Sequence, residues 1–195
     1  MPIQNDDDLA RAVSRASSLM QEIQDYTKRD FAKKAELRFP RGHIRSADDA
    51  RKRLGFLENS PLKDNIAYTL MLADVQHWIL VRTDLFGMAE QMVMKLQFFL
   101  LGSIIESVTK VYLHGKCGQN FGKRTAYMED NGIISPQLRK DVDWVWDLRN
   151  KMHLFLLKDK EWASTDYTLA NHNKVVRTFK ELLDVLNAAA GIQKT

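Results

Sequence analysis

The chain has a single cysteine in 195 residues, Cys117. That excludes an intrachain disulfide and any structural zinc site built on several thiolates, and it fits a reducing compartment. Glycine and proline are also scarce, at nine and four. No segment is of low complexity, no internal repeat is found, and long stretches carry apolar residues at three- and four-residue spacing, which predicts an all-α protein. Long hydrophobic runs are missing as well. The longest, "FFLLGSII" at 98–105, lies between Lys95 and Glu106, whereas a membrane span needs roughly 18 or more apolar residues. It is expected to be a buried core helix, and no membrane partner is expected. The start, "MPIQNDDDLA", has neither the basic residues nor the apolar run of a secretory signal, so a cytoplasmic location is expected.

Several kinds of chemistry lack their motifs. No Gly-x-Ser-x-Gly elbow and no His-Glu-x-x-His pair occurs, which leaves hydrolase triads and zinc proteases unsupported. "GKCGQNFGKR" looks like a phosphate loop, but Gly118 and Gly122 enclose too few residues and Arg124 stands where Ser or Thr would hold magnesium. It is expected to be a turn between helices. No cofactor and no metal are expected.

What is present is enough apolar material, 45% of residues, for one sizeable core with a helical appendage. The net charge of +4 is unevenly placed: residues 28–53 hold ten Lys or Arg against four Asp or Glu. Such a block is either a solvated helical arm or an electrostatic footprint for nucleic-acid phosphates. In the second case Arg41, Arg45, Arg51 and Arg53 would bind the nucleic acid. Breakers and caps divide the chain further. A first helix is expected from about Asp7 to Leu37, ended by "FPRG"; a short one follows Ser46; another runs from Pro61 to about Val81. Thr83 or Asp84 is expected to cap a long helix reaching Leu113, and "NGIISPQ" separates a short helix from one carrying "WVWDLRNKMHLFLL", residues 144–157. A last helix spans about Tyr167 to Ala190, with Gly191 as its stop. Met88, Met92 and Met94 are expected to be packing residues.

Two constellations on these helices could carry chemistry. Asp143 and Asp147 share a helix face and could hold a divalent cation, or form a solvated face with Asp147 paired to Lys151. Arg149 and His153, also four apart, would project from one side of a helix. That pair suits phosphodiester transfer: a histidine titrating near neutrality can take a proton from a ribose 2′-hydroxyl while a guanidinium holds phosphate oxygens. Taken alone, the pair is no more frequent than chance allows among 13 arginines and five histidines.

The context adds to it. "LRNKMHL" late in the chain, preceded by "FFLLGSIIESVTKVYL" and by "GKRTAYMEDNGIISPQLRKDVDWVW", resembles the HEPN superfamily of small α-helical domains, whose signature is an arginine, a polar residue and then a histidine. The resemblance covers roughly residues 62–190, and Asn150 sits at the polar position. The spacing from Arg149 to His153 is shorter than the family's, and Leu154 stands where a second histidine is common. The resemblance implies an antiparallel helical bundle at 61–195 behind an N-terminal basic helical extension at 1–60. It further implies metal-independent RNA cleavage, as in a toxin or anti-phage effector, by a homodimer whose motifs face each other, with RNA as substrate and an antitoxin protein as partner. Arg149 would then bind the scissile phosphate, His153 would be general base or acid, Asn150 would orient one of them, and Glu106 would support them. The same fold also admits a non-catalytic interaction or nucleotide-binding scaffold, and the basic arm alone could make a nucleic-acid-binding module. Both readings stay open at this point.

Overall fold

The computed structural model describes residues 2–152 and 165–191, which form seven helices and no strand. The chain divides into two compact units, Met1–Arg41 and Gly42–Thr195.

The first unit holds α1 (Asp6–Thr27). Asn5 caps it by accepting the Asp8 N–H, and the Asp8 carboxylate accepts the Gln4 N–H in return. Asp6, Asp7 and Asp8 place negative charge at the positive end of the helix dipole. The helix stops well short of the expected Leu37. Lys28 takes a positive φ of 51°, its N–H bonds the Gln24 carbonyl, and the Gln24 amide bonds the Lys28 carbonyl. The reason is physical: α1 buries no residue, so no tertiary contact outweighs a local turn. Continuing it would also set Arg29 and Lys33 one turn apart as like charges.

The second unit begins inside the segment expected to be an extension. Ser46 caps α2 (Ala47–Lys52) as expected, accepting the Asp49 N–H. Beyond it Leu54, Phe56 and Leu57 are buried in the core. Asn187 fixes this stretch, donating to the Arg53 carbonyl at 2.9 Å and accepting the Phe56 N–H at 3.2 Å.

α3 (Ser60–Arg82) starts with Pro61 in its first turn and Asn59 as its cap. Thr83, expected to open the next helix, instead closes this one: both its N–H and its hydroxyl donate to the Ile79 carbonyl. α4 (Gly87–Tyr112) therefore begins later, after Phe86, with no side-chain cap. α5 (Phe121–Asp130), α6 (Pro136–Asn150) and α7 (Leu169–Ala189) follow, capped by Asn120, Ser135 and Thr168. The glycine-rich segment before α5 is a turn, with Gly115 at a φ of 73°.

α4 is the axis of the bundle, packing against α3, α5, α6 and α7, while α2 lies on α3 and α6 packs on α7. By length and composition α4 is apolar enough to cross a membrane, but half of that window is buried within the protein. A helix surrounded by neighbours must be apolar on most sides, and this alone accounts for its composition. Ile105 and Val108 from α4, Val142 and Val145 from α6, and Val175 and Leu182 from α7 are fully buried. Each such side chain contributes about 1.5–3 kcal/mol relative to exposure.

Candidate functional site

Arg149 sits in the last turn of α6, where a cation is favoured by the helix dipole. Its Nη2 lies 3.0 Å from a Glu106 carboxylate oxygen on α4, and its Nη1 donates to the Asn150 side-chain carbonyl at 3.0 Å. The guanidinium carbon stands 5.8 Å from the Phe99 ring centroid. Gly102 makes the approach possible: a Cβ built there would fall 2.8 Å from the Arg149 Cβ. The structure thus brings Arg149, Asn150 and Glu106 together on facing helices, a cation held rigidly by one carboxylate and one amide. Such a guanidinium is aimed, and Nη1 and Nη2 each keep a second N–H for an oxyanion.

The helix expected to carry all of residues 144–157 ends at Asn150. The N–H groups of Lys151 and Met152 turn back to Arg149 and Asp147 carbonyls, tightening the last turn. His153 lies outside the described residues.

Glu106 acts on a second arginine. Arg124 on α5 is buried, donates to the Gln119 carbonyl at 3.1 Å and lies over the Phe121 ring. Burial lowers its pKa, while the Glu106 charge works the other way. Phe121 stacks flat on Trp146, with centroids 4.9 Å apart. The Nε atoms of Arg124 and Arg149 and the Trp146 Nε1 are buried without a hydrogen-bond partner.

The four arginines assigned to nucleic acid fall into different settings. Arg41 is exposed at the end of the first unit. In the second unit, Arg45 is forked onto Asp74 through Nε and Nη2, and Arg51 pairs with both Asp48 and Asp64. Arg53 is half-buried and makes no close ion-pair contact among the described residues; burial first, and then the neighbouring Arg45, lower its pKa, against the charges of Asp184 and Asp74. Asp143 and Asp147 do not act as a matched pair. Burial raises the Asp143 pKa, with Thr125 and Arg139 nearby, whereas Asp147 is exposed. The expected partner of Asp147, Lys151, reaches Asp166 instead at 3.8 Å. No cluster of three or more His, Cys, Asp or Glu suited to a metal occurs among the described residues.

A second polar cluster was not anticipated from the sequence. His43, His77 and His172 stack in a column, with centroid separations of 6.4 and 6.0 Å and interplanar angles of 16° and 10°. The His172 ring continues the stack onto Phe98. His172 is buried and its Nε2 lies 2.6 Å from the Gln97 side-chain oxygen, while Nδ1 has no partner. Burial, and then the adjacent His77, push its pKa down; burial and then His43 do the same for His77. The signals were faint: His77 occupies an apolar position of α3 and Gln97 interrupts the apolar α4.

Fold and clusters together define an all-α helical bundle with two polar seams across its central helix. Comparison of the chain with protein-family models, with curated proteins and with solved structures returns no match.

Proposed function

We propose that this protein is a metal-independent RNA-cleaving member of the HEPN type, working as a homodimer whose composite site is built around Arg149, Asn150 and His153. The observation that supports it is the holding of Arg149 by Glu106 and Asn150. In a phosphodiester transfer the guanidinium would meet the oxygens on which charge develops, and a fixed cation does so without reorganising. His153 would move the 2′-hydroxyl proton, and the exposed Arg41 would help hold the strand. Glu106 would set the direction of Arg149. An antiparallel bundle acting as a toxin or anti-phage effector, restrained by an antitoxin protein, belongs to the same proposal.

RNA incubated with the protein in EDTA should yield fragments ending in 2′,3′-cyclic phosphate, and His153→Ala should yield none. Intact RNA with the wild-type protein refutes the reading. One observation favours a second reading, a non-catalytic scaffold: Nη1 and Nη2 of Arg149 each already have a partner. On that reading Arg149→Ala lowers stability or loosens the dimer, with no cleavage to lose.

A further inference from the structure

Beside the histidine column lies a cavity of about 290 Å³, bounded by α3, α4, α7 and the segment from His43 to Arg53. Its floor is apolar, made by Leu70, Ala73, Leu101, Val176 and Phe179. Its rim carries Arg45, Arg53 and Lys180 against one carboxylate, Asp74. Arg45 and Asp74 neutralise each other through the fork described above. Arg53 and Lys180 are different: neither makes a close ion-pair contact among the described residues, although the charges of Asp184 and Asp74 act on Arg53. A second cavity of about 410 Å³ shares His77, Val176 and Lys180, extends toward His172 and carries Glu181 and Asp184 on its own lining.

We propose that this cavity is a binding site for a small aromatic carboxylate, independent of the site around Arg149. A guanidinium taken partly out of water with no carboxylate in direct contact is costly, and an anion seated against it offsets that cost. The apolar floor then decides between anions. A bare phosphate would desolvate against Leu70, Leu101 and Phe179 and gain nothing there, whereas a ring buries its apolar area on them. The volume suits a single ring with a short acidic group, near the lower end of the roughly 300–1,000 Å³ of ligand pockets. The carboxylate would bridge Arg53 and Lys180.

Benzoate and inorganic phosphate, titrated separately into the full chain by calorimetry, test this. Benzoate should bind saturably at one site, at least about tenfold more tightly than phosphate. Arg53→Gln and Lys180→Gln should each weaken benzoate by about tenfold, the equivalent of one charge-assisted contact. Both substitutions replace cations that make no close ion-pair contact among the described residues, so the fold should persist, and an unchanged thermal melt verifies it. Absence of saturable benzoate binding, phosphate binding as tight as benzoate, or benzoate affinity unchanged in both variants overturns the proposal.

Discussion

Asp74→Ala removes the anchor that ties the entry segment of the bundle to α3. The Asp74 carboxylate accepts the Arg45 backbone N–H at 2.9 Å and the Arg45 Nε at 3.0 Å, with Nη2 completing the fork. Its backbone carbonyl lies 3.2 Å from the His43 ring nitrogen. Asp74 is only 8% exposed, so water does not readily replace the lost acceptor. Hydrogen bonds to a charged group contribute about 1.5–3 kcal/mol each. The Arg45 side chain is 42% exposed, which discounts the guanidinium contacts, so the expected net loss is about 2–3 kcal/mol. For a unit of this size that lowers Tm by roughly 5–10 °C. Urea unfolding of Asp74→Ala, Arg45→Ala and the double variant separates the pair from its parts; the coupling energy should exceed about 1 kcal/mol. pH supplies a second readout. Burial alone would raise the Asp74 pKa, but the Arg45 hydrogen bonds and charge bring it below the ordinary value. A folded-state pKa lowered in this way contributes stability that is present above the unfolded value, about 3.9, and is lost as pH falls through the folded one. Asp74→Asn should therefore flatten the acid limb of the stability profile. Additive single variants, or an acid limb unchanged in Asp74→Asn, would refute the reasoning.

Three other outcomes are expected. Gly102→Ala should lose about 1–2 kcal/mol in urea unfolding, because crowding of the Arg149 Cβ at 2.8 Å outweighs a helix-propensity gain of up to about 1 kcal/mol; a more stable variant would show that α4 and α6 have slack. Since burial depresses the His172 pKa, stability should decline as pH drops below about 6.5, the unfolded value, until the folded pKa is passed. His172→Phe should make that decline shallower, and parallel profiles from denaturation at several pH values would count against a buried neutral imidazole. Phe98→Ala should cost about 3–5 kcal/mol in the same assay, as Phe98 is fully buried between Tyr167 and His172; a loss below about 1 kcal/mol would mean that the core refills.

The helices could be read from the sequence wherever a cap and an apolar stripe agree. Ser46, Pro61 and Gly191 mark boundaries that the structure keeps, because each acts through local geometry. The reading of α1 fails where only charge and spacing support it, since a helix that buries nothing has no reason to pass Lys28. Thr83 misleads for a related reason: a hydroxyl near two helices can close the first as readily as open the second, and the Ile79 carbonyl is within its reach. Of the candidate site, Arg149, Asn150 and Glu106 could be found because two lie in one motif and the third in the apolar α4. The histidine column could not. Its members come from positions 43, 77 and 172, and only tertiary packing sets them in register.

Buried and half-buried polar residues set into the apolar helices form two seams, and this division bears on function. Glu106 on α4 and Arg149 on α6 form one; Asp74 on α3, Gln97 on α4 and His172 on α7 belong to the other. Apolar residues of equal volume are often as stabilising as a buried charged pair, since desolvating charge is costly even when paired. Stability alone therefore does not call for them. At the first seam the carboxylate holds a cation in place. At the second, Asp74 is taken up by Arg45, so its charge reaches Arg53 only alongside that of Asp184, and an anion in the cavity would meet Arg53 and Lys180 directly.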